Sequence, residues 1–301
     1  MAPTALPRVV VVTRPSEYQQ LLADHATRGQ AEFFLRSRGR DIAEVEGRHQ
    51  RFVTARDTVL AAIPHQWRRA TVDRNDLDRF LFEADDVIVG VGQDGLIPNV
   101  AKYLHGQPVI GINPDPDLFE GVLVRHRADD AGDLIRQVVE QTVQIEERIM
   151  AEAVLDDGAR ILALNEVFLG HHSHQSARYR VTSAGHEVRQ ISSGLIVATG
   201  TGSTGWARSI SLERHSHLKL PGPGESRLSF FVREPFPASG SEATFSEGQL
   251  GAGDNLTIWS EMDAGGTVFA DGIESDSLPF DWGRKVDVHL ADQRLRLVEP
   301  A

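Results

Sequence analysis

The chain has 301 residues, of which 41% are hydrophobic and 25% charged, as is usual for a folded globular protein. Its formal net charge of −12 argues against nucleic acid as a ligand, because that ligand requires a basic surface. No apolar run approaches the roughly 20 residues of a membrane-spanning helix, and the absence of cysteine excludes disulfides and thiolate metal sites. The simplest interpretation is a cytoplasmic protein of two domains, with neither nucleic acid nor a membrane as partner.

The first 125 residues alternate between patterns of buried strands and patterns of helices. Runs rich in Val and Ile predict strands of a parallel sheet covered on both faces, at residues 8–12, 86–91 and 108–112. Helical composition is found at residues 16–35, 42–63, 96–104 and, beyond this region, 129–141. Strand, helix and strand in this order predict a doubly wound α/β domain over residues 1–125.

From residue 126 onward the pattern changes to short strands. They are predicted at residues 160–169, 178–182, 187–191, 195–198, 227–233, 255–262 and 267–270, with two more within 286–298. A hairpin turn is predicted at residues 183–186 and a loop at 239–253. This spacing predicts an antiparallel β-sandwich over residues 126–301, with the extreme C-terminus packed back on the first domain.

A glycine-rich turn, Gly90-Val-Gly-Gln-Asp-Gly-Leu96, joins a predicted strand to a predicted helix. Glycines allow a ligand to approach the backbone closely, and Asp94 is expected at the carboxyl end of the sheet, where open α/β sheets bind ligands. Two interpretations are open at this point. The turn either binds phosphate or only connects strand to helix, with Asp94 as a helix N-cap.

A second loop, Thr199-Gly-Thr-Gly-Ser-Thr-Gly205, follows a short apolar strand and contains only Gly, Thr and Ser. Hydroxyls and accessible amides suit phosphate and ribose oxygens, which favours a ligand-binding loop over a flexible turn. Asn165 and Glu166 interrupt another apolar strand. At least one of these two side chains is expected to be buried and to bind either a ligand or the backbone.

These three features, in this order, resemble the NAD kinase family. The family pattern is Gly-Gly-Asp-Gly-Thr after a buried strand, an Asn-Glu pair on a strand, and a Thr/Gly/Ser loop after Gly-Leu-Ile-Val. Val109-Ile-Gly-Ile-Asn113 and Ala270-Asp-Gly272 match two lesser signatures. The resemblance covers most of the chain and is closest to the mitochondrial-type branch. It implies a Rossmann-like α/β domain, as in NAD kinases and diacylglycerol kinases, followed by an all-β sandwich domain.

The resemblance also implies an activity, the ATP-dependent phosphorylation of the adenosine ribose 2′-hydroxyl of NAD to give NADP. Asp94 would be the base that deprotonates this hydroxyl, and Mg²⁺ would neutralise the triphosphate, with no residue assigned to the metal. A homo-oligomer, a dimer or larger, is implied as well. The residues implied to bind the nucleotides are Gly92, Gln93, Gly95, Leu96, Asn113, Asn165, Glu166, Thr199, Gly200, Thr201, Gly202, Ser203, Thr204 and Asp271.

Two positions depart from the family pattern, since Gln93 replaces the second glycine and Leu96 replaces the threonine. Gln93 introduces a side chain where the backbone would meet phosphate, and Leu96 removes a hydroxyl. Two alternatives therefore stay open: a kinase of the same fold that acts on another small-molecule hydroxyl (nucleoside, sugar or lipid), and a non-catalytic nucleotide-binding protein. The histidines at 171, 172 and 174 lack a Cys or carboxylate in register, which favours a surface loop or a cleft lining over zinc.

Overall fold

The computed structural model describes residues 6–183, 185–236 and 245–300, and the chain forms two compact units. Unit 1 comprises Met1–Glu146 and Arg296–Ala301, and unit 2 comprises Glu147–Leu295. The predicted hairpin turn at 183–186 and the predicted loop at 239–253 lie partly outside the described residues. Among the residues described, no helix is both long and apolar enough to span a membrane.

Unit 1 contains a parallel sheet in the order β2-β1-β3-β4. Its strands are β1 (Arg8–Thr13), β2 (Arg68–Asp73), β3 (Asp86–Val91) and β4 (Pro108–Ile112). Three of them confirm the predicted strands, whereas β2 was missed because it is a half-exposed edge strand without an apolar run. The connection after β1 leads to β2 on one side of β1, whereas β3 and then β4 lie on the other side of β1. The strand order therefore reverses between β1 and β3, where ligands of such sheets bind.

The described residues of unit 1 form five α-helices: α1 (Glu17–His25), α2 (Arg28–Arg36), α3 (Ile42–Ala62), α4 (Leu96–Ala101) and α5 (Ala131–Glu140). The predicted single helix at 16–35 is wrong, because Ala26 has a φ of 60° and Thr27 caps a new helix. The Thr27 hydroxyl accepts a hydrogen bond from the Gln30 amide at 3.3 Å, which satisfies an amide that has no partner within the helix. The other predicted helices are confirmed, with α4 shorter than expected.

Burial explains the strand pattern of unit 1. The β1 residues Val9–Val12 are fully inaccessible, and side chains of α3 and α5 pack with the sheet in one apolar cluster. Each fully buried Val or Ile stabilises the fold by about 1.5–3 kcal/mol, so a strand covered on both faces retains an unbroken apolar sequence.

Where the structure describes it, unit 2 consists of antiparallel strands and one α-helix, and its last strand continues into the C-terminal residues of unit 1. One sheet has the order β12-β11-β10-β7-β14-β15, a second contains β16-β13-β8-β9, and β5 pairs with β6. The elements are β5 (Ile145–Leu155), β6 (Arg160–Ala163), β7 (Glu166–His171), β8 (Ala177–Ser183), β9 (His186–Ser192), β10 (Leu195–Ala198), α6 (Trp206–Glu213), β11 (Leu228–Val232), β12 (Glu247–Leu250), β13 (Leu256–Ser260), β14 (Gly266–Ala270), β15 (Ile273–Pro279) and β16 (Lys285–Val298).

The core of unit 2 lies between its two sheets. Val167 of β7 and Val197 of β10 come from one sheet, while Val181 of β8 and Ile258 of β13 come from the other, and all four belong to one buried cluster. The predicted sandwich is therefore confirmed. Two details were wrong: the run at 160–169 forms β6 and β7 rather than one strand, and 286–298 is a single strand.

Candidate active site

The acidic turn of unit 1 follows β3 and leads directly into α4. A side chain at Gly92 would place its Cβ 3.2 Å from Leu96 Cδ2, whereas Gly95 faces open space. Leu96 itself is completely buried, so the position where the family has a threonine is part of the core here. The N-cap of α4 is Gly95 and has no side-chain cap, so the interpretation of Asp94 as a helix N-cap is wrong.

The Asp94 carboxylate instead binds the backbone of residues 122–124. Oδ1 accepts hydrogen bonds from the amides of Val122 (3.0 Å), Leu123 (2.8 Å) and Val124 (3.1 Å). Within the described residues, Oδ2 accepts a hydrogen bond from the Val122 amide alone, at 2.9 Å, and so shares that donor with Oδ1. A carboxylate offers about four acceptor positions. Oδ2 therefore retains the capacity to accept a further hydrogen bond.

Asn113 follows β4 and braces the loop that leads to those amides. Its Nδ2 donates to the Phe119 carbonyl at 2.6 Å, and its Oδ1 accepts from the Asp115 amide at 3.0 Å. Gly121 has a φ of 71°, and a Cβ there would lie 2.3 Å from the Val124 carbonyl. Asn113 and Gly121 thus stabilise the conformation of the loop after β4, and Asp94 binds the backbone at the end of that loop, residues 122–124.

In unit 2 the hydroxyl-rich loop is held together largely by its own side chains. The Thr199 hydroxyl donates to the Leu164 carbonyl and accepts from the Thr201 amide at 3.1 Å. The Ser203 hydroxyl donates to the Thr199 carbonyl at 3.0 Å. A Cβ on Gly202 would lie 2.1 Å from the Asn165 carbonyl, so this glycine is required by close backbone packing.

The close packing of the loop extends to Gly200, where a Cβ would lie 1.8 Å from the Gly222 carbonyl. At Thr204 the hydroxyl donates to the Thr201 carbonyl at 3.2 Å. Most of the glycines and hydroxyls that indicated a ligand site therefore also stabilise the conformation of the loop.

Thr201 differs from the other hydroxyl residues of this loop. It is 6% exposed, and its Oγ1 has no hydrogen-bond partner among the residues that the structure describes. A buried hydroxyl without a partner costs about 1–3 kcal/mol, which native proteins usually avoid. Thr201 therefore points to a ligand or a water molecule as its partner.

Asn165, Glu166 and Asp271 form one cluster in unit 2. The Asp271 carboxylate accepts from the amides of Leu164 (2.9 Å), Asn165 (2.7 Å) and Glu166 (3.3 Å). The Asn165 carbonyl accepts from the Thr199 amide at 2.9 Å, which connects this cluster to the hydroxyl-rich loop. Burial, and then the neighbouring charge of Asp271, raise the pKa of Glu166 to about 7.

The predicted residues thus fall into two groups, each brought together within its own unit. Unit 1 holds Gly92, Gln93, Asp94, Gly95, Leu96 and Asn113, and unit 2 holds Asn165, Glu166, Thr199, Gly200, Thr201, Gly202, Ser203, Thr204 and Asp271.

Two side chains near these groups were not identified as site residues from the sequence. Trp206 stacks on Phe168 at 5.9 Å between ring centroids, and Arg14 donates to Gln93 Oε1 at 2.9 Å. Arg14 could have been found as the first residue after a buried parallel strand.

His171 is the last residue of β7, and His172 and His174 lie on the loop that follows it. The rings of His171 and His172 stack with centroids 4.8 Å apart, and His171 Nδ1 accepts from the Ser173 amide at 3.0 Å. Within the described part of the chain, no group of three His, Cys, Asp or Glu side chains is arranged to hold a metal ion.

The fold and the two residue groups define a class: a doubly wound α/β domain with an acidic glycine turn, followed by a β-sandwich domain with a hydroxyl-rich loop. Solved structures share this fold. The crystal structure of yeast NADH kinase with NADH matches with a TM-score of 0.58 and 15% identity, over 99% of this chain and 85% of that one. An NAD kinase from Archaeoglobus fulgidus in complex with ATP matches with a TM-score of 0.55 and 19% identity, over 97% and 93%.

Curated NAD kinases are similar in sequence over a shorter stretch. The NAD kinase of Psychrobacter arcticus is 36% identical over 137 residues, which is 42% of this chain and 41% of that protein. The NAD kinase of Bordetella avium is 32% identical over 164 residues, or 52% and 50%. The chain thus spans about half the length of the curated relatives it matches, and no protein-family model matches it. The resemblance to the NAD kinase family and the two-domain fold are confirmed.

Proposed function

We propose that the protein transfers the γ-phosphate of ATP to the adenosine ribose 2′-hydroxyl of NAD, giving NADP and ADP. The observation that carries this proposal is the Asp94 carboxylate. It stands at the carboxyl end of β3, is oriented by three backbone amides, and retains acceptor capacity on Oδ2. The relatives named NAD kinase supply the choice of acceptor, and the solved structure of an NAD kinase in complex with ATP supplies the choice of donor.

In the proposed reaction, Asp94 Oδ2 accepts the proton of the 2′-hydroxyl. The ribose oxygen attacks the γ-phosphorus, and the bond from that phosphorus to the β–γ bridging oxygen breaks, so that ADP leaves. The proton on Asp94 then passes to solvent. ATP enters as its Mg²⁺ complex, which neutralises charge on the transferring phosphoryl group. The contribution of the protein is mainly the orientation of the hydroxyl and the position of the base.

Unit 2 is proposed to hold the dinucleotide. Thr201 offers a buried hydroxyl for which no partner is found in the described residues, so a ligand oxygen would satisfy it. Glu166, with a pKa near 7, exchanges its proton near neutral pH and can either donate to or accept from a ribose hydroxyl. Asp271 keeps the backbone of Asn165 and Glu166 in place. The protein is further proposed to work in the cytoplasm as a homodimer or larger oligomer, without nucleic acid or membrane partners.

A second candidate function is favoured by one observation, the side chain of Gln93 in place of the family's glycine. This side chain changes the surface of the turn where phosphate is expected, and a different acceptor hydroxyl or a protein that only binds nucleotides would be consistent with it.

The test is to incubate the protein with ATP and Mg²⁺ and, separately, with NAD, NADH, nucleosides and sugars, and to measure products by mass. The proposal expects one added phosphate on NAD or NADH only. Phosphate added to a nucleoside or a sugar instead would identify another kinase, and binding without any product would identify a nucleotide-binding protein.

A further inference from the structure

A cavity of about 340 Å³ opens in unit 1 at the carboxyl ends of β1, β3 and β4. It adjoins the point where the strand order reverses, which is the usual ligand position in open α/β sheets. Its volume lies within the range of small-molecule sites. The polar side chains that line it include Arg14, Ser16, Arg48, His49, Gln93 and Asn113.

Two arginines are neighbours at this end of the sheet because of strand register. Arg14 directly follows β1 and Arg74 directly follows β2, and the last residues of these parallel strands, Thr13 and Asp73, are paired. Burial and the nearby charge of Arg74 lower the pKa of Arg14. The lowering indicates a guanidinium that is partly removed from water and lies close to a second positive charge.

The acidic side chains of the cavity are already engaged by other cations. Glu17 pairs with Arg40 at 2.6 Å, and Asp115 pairs with Arg51 at 2.8 Å. Arg14 has no carboxylate within ion-pair distance in the part of the chain that the structure describes, and its guanidinium donates instead to the uncharged Gln93 Oε1 at 2.9 Å. Arg14 therefore presents a positive charge to the cavity that no carboxylate of the described residues neutralises.

We propose that Arg14, with Arg74 beside it, binds the polyphosphate chain of the phosphate donor, and that Gln93 holds the guanidinium in position until a phosphate oxygen replaces the carboxamide. The identity of the donor rests on the proposed kinase function, whereas binding of polyphosphate requires no turnover. A glycine at position 93 has no side chain to accept a hydrogen bond from Arg14. The replacement of the family's glycine by Gln93 therefore has a structural role, which is to position the Arg14 guanidinium. Arginine suits this role because its planar guanidinium forms paired hydrogen bonds with phosphate.

The test is calorimetric titration of the full chain with inorganic tripolyphosphate, at one fixed ionic strength, for the wild type and three variants. Arg14→Gln removes the cation. Gln93→Glu keeps the cation but places a carboxylate next to it, on an exposed side chain whose replacement leaves the core intact. Arg56→Gln removes an equal charge from the surface of α3, outside the cavity, and is the matched control.

We expect Arg14→Gln and Gln93→Glu each to weaken tripolyphosphate binding by about tenfold or more, because a charge-assisted hydrogen bond is lost or competed away. Arg56→Gln should remain within about twofold of the wild type. The inference is overturned if the wild type does not bind tripolyphosphate, or if Gln93→Glu and Arg56→Gln behave alike.

The phosphate chain could also come from the diphosphate of NAD, and the same variants distinguish the two sources. Titration with ATP and Mg²⁺ should show the loss in Arg14→Gln, while titration with NAD should not. A loss confined to NAD would contradict the assignment to the donor. Because none of these measurements needs phosphoryl transfer, their failure would leave the role of Asp94 as a base untouched, and an inactive enzyme would leave the phosphate site untouched.

Discussion

Asp94 accepts hydrogen bonds from three consecutive backbone amides, at Val122, Leu123 and Val124. Such an arrangement orients the carboxylate without using all of its acceptor positions, as a base must be oriented before its substrate arrives. The same bonds make the position of residues 122–124 depend on Asp94. A substitution that keeps an oxygen in place is therefore needed to separate catalysis from loop structure.

Glu166 gives a prediction about stability and pH. Its pKa of about 7 in the folded protein lies above its usual value of 4.5, so the folded state holds a proton that the unfolded state has released. This contribution is complete below about pH 4.5, is lost as the pH rises through about 7, and amounts to about 3 kcal/mol. Glu166→Gln removes the ionisation and should flatten the decrease in Tm between pH 5 and pH 8.

Melting curves of Glu166→Gln, the wild type and the exposed control Glu140→Gln at the two pH values check this prediction. The control should keep the wild-type slope. If Glu166→Gln also keeps it, burial beside Asp271 does not govern the ionisation of Glu166.

At the scale of single residues, the sequence did not show what most of the predicted site side chains contact. Thr199 and Ser203 were predicted as ligand groups, yet their hydroxyls bind the loop itself. Their partners come from segments distant in the chain or from backbone geometry, which residue type alone does not reveal. Arg14 could have been found as the residue after a predicted strand, but its position beside Arg74 depends on the pairing of Thr13 with Asp73, which the sequence does not show.

At the scale of elements, the two glycine-containing loops differ in how much space they leave for a side chain. A Cβ at Gly202 would lie 2.1 Å from the Asn165 carbonyl, whereas Gly95 has no atom within 4 Å and a helical φ of −63°. Gly202→Ala should lower the free energy of unfolding by about 1–3 kcal/mol, because the backbone has to move. Gly95→Ala, the matched control, should change it by less than about 0.5 kcal/mol.

Urea unfolding of both alanine variants measures these differences. Equal stability of the two would show that the loop at 199–205 tolerates a side chain, and its glycines would then need another explanation, such as close approach of a ligand.

Strands in which every residue is buried were predicted with the most accurate bounds, whereas half-exposed strands were predicted in some cases (β8, β9 and β13) and missed in others. The strands β3 and β10 were placed with their observed bounds because every residue in them is buried. By contrast, β2, β12 and β15 carry charged or polar residues and pack on one face at most, so no apolar run marks them. The break between α1 and α2 depends on one positive φ at Ala26, which helical composition does not encode.

At the scale of the whole molecule, a kinase and a nucleotide-binding protein differ in how many ligands stabilise the fold. We expect NAD and ATP with Mg²⁺ each to raise Tm, because a ligand at 100 times its Kd stabilises the folded state by about 2.7 kcal/mol. Thermal shift with each ligand alone measures this. A response to one of the two nucleotides, with none to the other at any concentration, would favour the non-catalytic alternative.

The division into an α/β domain and a β-sandwich was predictable because the pattern of hydrophobic residues changes along the chain. Continuous apolar strands alternate with helices in the first part, and short strands follow one another in the second. The course of the last strand was not predicted, since two strands were expected where the structure has the single strand β16. Its length depends on partners at both ends, with Val286 and Val288 in the sandwich core and Leu297 paired to Val109 of β4.

The most direct test of the account is the turnover of Asp94→Asn, with Asp117→Asn in the neighbouring exposed loop as control. Asparagine keeps an oxygen for the amides of Leu123 and Val124, so the loop and the Kd for NAD should stay within a few-fold of the wild type. Loss of the base should lower kcat by about 100-fold or more, while Asp117→Asn remains active. If Asp94→Asn phosphorylates NAD at the wild-type rate, Asp94 is not the base and the proposed mechanism is wrong.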